Sequence, residues 1–355
     1  MLRGRIRETR LYKHIRALTH RYEKFWIPAM LLGGLASDVI QYSALDLREK
    51  FIILAAYVVV AFGALLLMSY PRAAEVKILR SLLLVAPFAH QFAVGGLLAA
   101  SLLFYWFGGS FSVSWPILLI VALCMAANEF LRTHFLRPTT QVAVFTFALF
   151  SLVTILFSFV FNSLSPLLFV AGGIATVVVM AAYLVVLIRV GNLQTSRYAM
   201  WLAVLGIFAL MNVGYFLNVI PPIPLSLRDA GIYADIARVN GDYVLTGQEE
   251  SWIDRILPGQ TLTVTANQPL YAFTAIFAPG ALSTKIVHKW QHYDATIKRW
   301  VTDDALSFSI VGGRDEGYRG YSRKSHVDEG KWRVSVETPR GQVLGRIGFR
   351  VVHSK

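Results

Sequence analysis

Between Phe25 and Val219 the apolar residues run in long, nearly unbroken stretches. A membrane-crossing helix needs about 20 mostly apolar residues, because each adds 1.5 Å toward roughly 30 Å of hydrocarbon. Seven stretches reach that length: Phe25–Ser43, Phe51–Tyr70, Leu82–Phe107, Ser114–Phe130, Gln141–Phe161, Leu167–Ile188 and Met200–Val219. The pattern predicts an α-helical multi-pass membrane bundle of about seven helices over residues 25–220, preceded by a basic cytoplasmic leader over 1–24.

The pattern breaks at Pro221-Pro222-Ile223-Pro224, which cannot continue a helix because proline lacks the amide hydrogen and its ring clashes with the preceding turn. Residues 221–260 read as a linker with a short helix around Ser226–Val239. From Thr261 onward the runs are short and strand-like: Thr261–Ala266, Tyr271–Phe277, Lys285–Tyr293, Thr296–Val301, Leu306–Val311, Tyr318–Lys324, Lys331–Glu337 and Val343–Val352. Turn signals such as Ala278-Pro279-Gly280, Gly312-Gly313 and Pro339-Arg340-Gly341 separate them. Residues 261–355 are therefore expected to form an all-β sandwich, Ig-like or jelly-roll-like, and soluble. In its clearest strand Trp332, Val334 and Val336 alternate with polar neighbours, so they are expected in the core.

Composition agrees, since 55% hydrophobic residues and a mean hydropathy of +0.54 exceed what one soluble core requires. The net charge of +13 raises nucleic-acid binding, but its distribution argues against it. The leader carries eight Lys/Arg against Glu8 and Glu23, and residues 25–220 carry nine against five acidic residues. Residues 221–355 carry seventeen against fourteen, so no folded part has a strongly basic balance. With the N-terminus inside, fifteen Lys/Arg fall on inner segments, and only Arg48 and Lys50 on outer loops. Positive residues are retained on the cytoplasmic side, so this predicts an inner-membrane protein with a cytoplasmic N-terminus and an extracytoplasmic β domain. Cys124 is the single cysteine, which excludes an intrachain disulfide.

Several short motifs resemble a known family. Pro221-Pro222-Ile223-Pro224-Leu225-Ser226, Phe273-Thr274-Ala275-Ile276, His288-Lys289-Trp290, Tyr318-Arg319-Gly320-Tyr321-Ser322 and Gly330-Lys331-Trp332-Arg333-Val334 are similar as a set to the bacterial domain of unknown function number 2914. Upstream, Gly34-Leu35-Ala36-Ser37-Asp38, His90-Gln91-Phe92-Ala93-Val94-Gly95 and Asn128-Glu129-Phe130 resemble the membrane region that often precedes it. The resemblance implies a multi-pass bacterial membrane protein with a C-terminal β domain, and it implies no established activity.

Polar groups inside the apolar stretches are few, and each is a functional candidate because burying it in hydrocarbon is costly. They are Asp38, His90, Asn128 and Glu129. Spacing puts Asp38 near the outer interface and the other three toward the inner half, so a three-residue relay is not expected. A single interhelical hydrogen bond accounts for His90. The glycine pairs Gly33-Gly34, Gly95-Gly96 and Gly172-Gly173 read as close-packing points between helices.

In the β region, aromatic residues and arginines mix in a way that suits a glycan, an anionic headgroup or a peptide. The candidate ligand-binding residues are His288, Trp290, Arg319, Tyr321, Ser322 and Arg323. His288 and His292 lie about 13 Å apart along a strand, too far to share a metal ion. Ser322 lacks the glycine spacing of a nucleophile elbow, and Asp303-Asp304 reads as a turn, not an acid–base pair. The expectation is a non-enzymatic protein, with no catalytic residue, metal or cofactor, in which the β domain binds an envelope partner (glycan, lipid or protein). The alternative is a transporter or lipid-modifying enzyme with its site in the bundle around His90, Asn128 and Glu129.

Overall fold

A computed structural model of the chain describes residues 47–130, 138–191, 193–239, 242–247, 260–265, 268–280, 282–314 and 316–353. The expected first span, with Asp38, lies outside them. Six α-helices come first: α1 (Leu47–Ser69), α2 (Lys77–Gly108), α3 (Phe111–Phe130), α4 (Pro138–Val160), α5 (Pro166–Gly191) and α6 (Arg197–Phe216). Five of them, all but α3, are long and apolar enough to cross a membrane, and the apolar stretch of α3 is shorter, Val113–Ala126. Ile52, Val59, Phe92, Leu202 and Val213 are all more than half exposed on the outside of the bundle. So much apolar surface is compatible with a membrane protein, because water would oppose its exposure.

Inside the bundle, small residues bring helices close. A Cβ on Gly96 would lie 2.5 Å from the Tyr57 ring, and one on Gly173 would lie 2.7 Å from the Phe150 ring. Gly96 and Gly173 are thus close-packing points, as their spacing predicts. Polar groups bridge helices one at a time: Tyr105 donates to Ser151 Oγ at 2.8 Å, and Tyr183 donates to the Phe62 carbonyl at 3.0 Å. Each such bond contributes about 1 kcal/mol in an apolar setting.

The C-terminal region is built of β-sheets, with strands β1 (Ser226–Tyr233), β2 (Asp235–Val239), β3 (Asp242–Thr246), β4 (Gln260–Val264), β5 (Leu270–Phe277), β6 (Ser283–Asp294), β7 (Arg299–Val311), β8 (Tyr318–Lys324), β9 (Gly330–Glu337) and β10 (Val343–His353). The order is β1-β5-β8 in one sheet, β4-β10-β9-β6-β7 in a second, and β2-β3 in a hairpin. Most neighbours are antiparallel, but β10 and β4 run parallel. The two larger sheets face each other across a core that joins Ile232, Leu270 and Ala272 of the first to Trp290, Trp332, Val334 and Phe349 of the second.

Two expectations are corrected here. The segment Ser226–Val239 is not a helix but strands β1 and β2. Its apolar spacing fits a short helix, yet β1 pairs along β5 from Ser226↔Phe277 to Tyr233↔Tyr271 with one irregularity at Arg228, and tertiary pairing outweighs local propensity. Asp303-Asp304 is not a turn: it lies within β7, which replaces two shorter expected strands. The carboxylates are accommodated there because Asp304 takes Lys324 Nζ at 2.5 Å and Asp303 takes His292 Nδ1 at 2.6 Å.

The β region stands on one end of the bundle, where α2, α4 and α6 finish. Gln342 Nε2 donates to the Ile220 carbonyl at 3.4 Å, and Asn218 Nδ2 donates to the Arg340 carbonyl at 3.3 Å. The Arg340 guanidinium lies 4.4 Å over the Tyr215 ring near the end of α6. Leu164, between α4 and α5, packs against a cluster that includes Leu225, Ile276 and Ala278. This end also carries Trp106, Phe107, Phe111, Trp115, Phe161 and Phe216, each at least 40% exposed, as interfacial aromatic anchors would be.

Candidate functional site

Strand β8 reads Tyr318-Arg319-Gly320-Tyr321-Ser322-Arg323-Lys324, and its pleat sends successive side chains to opposite faces. Gly320 and Ser322 point into the space between the two large sheets, and Arg319, Tyr321 and Arg323 point out. A Cβ on Gly320 would lie 2.5 Å from the Phe308 ring, so glycine at this position lets the facing sheet close.

On the inner face four side chains from β5, β6 and β8 form a hydrogen-bonded chain. Trp290 Nε1–H donates to Ser322 Oγ at 3.0 Å, and Ser322 Oγ meets His288 Nδ1 at 2.9 Å. His288 Nε2 meets Thr274 Oγ1 at 3.0 Å, and Thr274 donates to the Gly320 carbonyl at 3.5 Å. A single assignment satisfies every group: a neutral imidazole with its proton on Nε2 donates to Thr274, while Ser322 donates to Nδ1. Burial pushes the His288 imidazole down to about 4, which keeps it neutral at physiological pH. His288 and Trp290 are both fully buried. The network ties one sheet to the other and has no open path for a ligand.

The outer face is different. The hairpin β2–β3 folds over it, so that Phe273 lies buried between the Tyr243 ring, 5.7 Å away, and the Tyr233 ring, 6.3 Å away. Tyr321 continues this aromatic row, 6.0 Å from both Tyr243 and Tyr271, and it is 44% exposed. Beside the row, Arg238, Tyr243, Arg314, Glu316, Gly317, Tyr318 and Arg319 line an open groove of about 450 Å³. The guanidinium of Arg314 lies 5.2 Å over the Tyr318 ring, and that of Arg238 lies 5.9 Å over Tyr243. Arg319 pairs with Glu316. Gly317 shapes the groove floor: its φ is +87°, and a Cβ there would come 2.9 Å from the Ile276 backbone.

Three arginines, one carboxylate and two tyrosines thus border one opening of ligand size. Guanidinium forks make two-point contacts with phosphate or carboxylate. Among the described residues the lining has three arginines against one glutamate, which favours an anionic ligand.

The structure divides the six predicted β-region residues. Arg319 lines the groove, Tyr321 adjoins it, and Arg323 is exposed further along the same face. His288, Trp290 and Ser322 belong to the enclosed network. Arg238 and Tyr243, which sequence reasoning missed, come from the hairpin that replaced an expected helix and linker. Their signal was the dipeptide Asn240-Gly241, which favours a two-residue hairpin turn. In the bundle, His90 is buried on α2 and its Nδ1–H donates to the Ala61 carbonyl of α1 at 3.0 Å. Asn128 and Glu129 lie in the last turn of α3, with side chains outside the described ones.

Residues 283–351 match the profile of the family described as Protein of unknown function (DUF2914). The matched region starts at β6 and ends within β10, so it holds the five-stranded sheet except β4, together with β8. No curated protein matches the chain. Among solved structures the chain has a remote similarity to the Pseudomonas fluorescens alkylpurine DNA glycosylase AlkC bound to DNA containing an abasic site analog. The identity is 11%, with 87% of this chain and 100% of that chain covered, and the TM-score of 0.22 describes no shared fold.

Proposed function

We propose that the chain is a non-enzymatic protein of a bacterial inner membrane, anchored by its helices with the N-terminus in the cytoplasm. Its C-terminal region is a β-sandwich on the extracytoplasmic side that binds an envelope component, whether glycan, lipid headgroup or protein. The observation that carries this reading is the open groove where Arg238, Arg314 and Arg319 meet Tyr243 and Tyr318. The excess of Lys/Arg on the predicted inner segments supports the orientation, since it sets the β region on the side opposite Arg72, Arg189 and Arg197.

The full chain, purified in detergent, is tested against arrays of envelope glycans, lipids and proteins beside an Arg319→Ala/Tyr321→Ala variant. Retention of one component by the wild type and its loss in the variant is the expected outcome. If no component is retained above background, or if the variant retains it equally, the reading fails. A compartment-sensitive reporter after Lys355 is expected to report the extracytoplasmic side, and one after Arg137 the cytoplasm.

A further inference from the structure

Strand β1 leaves the bundle immediately: a Cβ on Gly108, the last residue of α2, would lie 3.5 Å from the Leu225 carbonyl oxygen, and β1 begins at Ser226. The first cross-strand row of the three-stranded sheet joins Ser226 to Phe277, and the next residues pair Leu227 with Ile276 and Ile276 with Tyr318. The row Asp229–Ala275–Arg319 follows. At 3.3 Å per residue, Arg319 is at most roughly 10 Å from the helix ends. The polar interface of a bilayer extends about 5–8 Å beyond the hydrocarbon on each side. The arginine end of the outer face therefore stands at the outer edge of the headgroup layer, within reach of long guanidinium side chains that bend toward it.

Three arginines stand at that end, beside the exposed carboxylate of Asp229 in the row of Arg319. Arg314 and Arg319 flank Tyr318, and Arg228 lies 5.0 Å over the Phe277 ring, one row nearer the bundle. Among the described residues Glu316 is the acidic residue that lines the groove, and it is paired with Arg319. The exposed aromatics Trp106, Phe107, Phe111 and Phe161 lie at the helix ends below.

On the reading that this groove is the binding site, we infer that its ligand is the phosphate of an anionic phospholipid in the membrane that the bundle spans. The phosphate sits between the guanidinium groups of Arg314 and Arg319, with Arg238 closing the groove and the acyl chains left in the bilayer. A membrane-resident ligand is favoured over a soluble one because the groove opens beside the helix ends, where lipid headgroups are at high local concentration.

The test uses the full chain in nanodiscs of phosphatidylcholine containing a minor fraction of phosphatidylglycerol, with retained lipid counted by native mass spectrometry. The wild type is expected to retain phosphatidylglycerol selectively. An Arg238→Gln/Arg314→Gln/Arg319→Gln variant loses the preference by about a hundredfold, at about fivefold for each cation near the surface. Arg323→Gln, on the same face but at the level of Tyr271, keeps it. Glu316→Gln strengthens it by removing the competing carboxylate. Absence of a lipid preference in the wild type, or its persistence in the triple variant, overturns the inference. A parallel titration with glycerol phosphate and acidic glycans separates the two readings. Groove-dependent binding of these without lipid preference sinks the lipid assignment alone, and binding of none of the probes sinks the groove as well.

Discussion

The two faces of strand β8 are made from the same seven-residue stretch and have opposite characters. Inward, Ser322 accepts from Trp290 and meets His288 in a network without an open polar atom. Outward, Arg319 and Tyr321 border a groove open to solvent. Polar and aromatic residues on a strand do not reveal by type whether they serve stability or recognition. The pleat assigns the role, because one residue's step reverses the face. Buried polar groups must satisfy one another and so become rigid, whereas exposed polar groups can exchange protein contacts for water or a partner.

The comparison predicts that inner-face changes cost stability and outer-face changes cost binding. The largest effect is expected from Trp290→Ala, which removes a fully buried indole and leaves Ser322 without its donor. A loss of about 3–5 kcal/mol is expected, read as faster hydrogen exchange of β6 amides in the full chain. Unchanged exchange would break the division between the faces.

A pH effect follows from His288. Burial holds its folded pKa at about 4, below the ordinary histidine value of 6.5, so the unfolded chain takes the proton first. The contribution is fully present above about pH 6.5, is lost as pH falls from 6.5 toward 4, and changes no further below that window. The loss is on the order of 3 kcal/mol. Denaturant unfolding of the full chain across that range, compared with His288→Gln, isolates it: the wild type is expected to show the steeper slope. Smallest of all is Arg323→Ala, on the exposed outer face, expected to shift stability by under about 0.5 kcal/mol. A larger destabilisation in the same unfolding assay would show that the outer face also holds the domain together.

Much of the architecture was readable from hydropathy. Long apolar runs match α1, α2, α4, α5 and α6, the helices long and apolar enough to cross a membrane. Strand β8 was legible to the residue, from Tyr318 to Lys324, since Gly317 and Ser325 bracket it. The alternation of Trp332, Val334 and Val336 correctly marked three core residues, each at most 2% exposed. Half of the candidate site was less accessible. Arg319 stood out as a cation beside aromatics, but its partners Arg238 and Tyr243 lie more than seventy residues earlier in the chain. Nothing local relates them, and the segment Ser226–Val239 carries a spacing that also fits a helix.

Periodicity by itself determined that a helical bundle precedes a β region, where the break falls at Pro221-Pro222, and which residues of β9 face inward. Those properties arise from neighbours within one turn or one pleat, so a window of residues contains them. Only the tertiary structure decided that Ser226–Val239 would be strand, that His288, Trp290 and Ser322 would close on one another, and that Arg238 would share one groove with Arg314 and Arg319. These depend on pairing and burial between distant segments, where the gain from satisfying a sheet edge or enclosing an indole outweighs the weak preferences of the local chain.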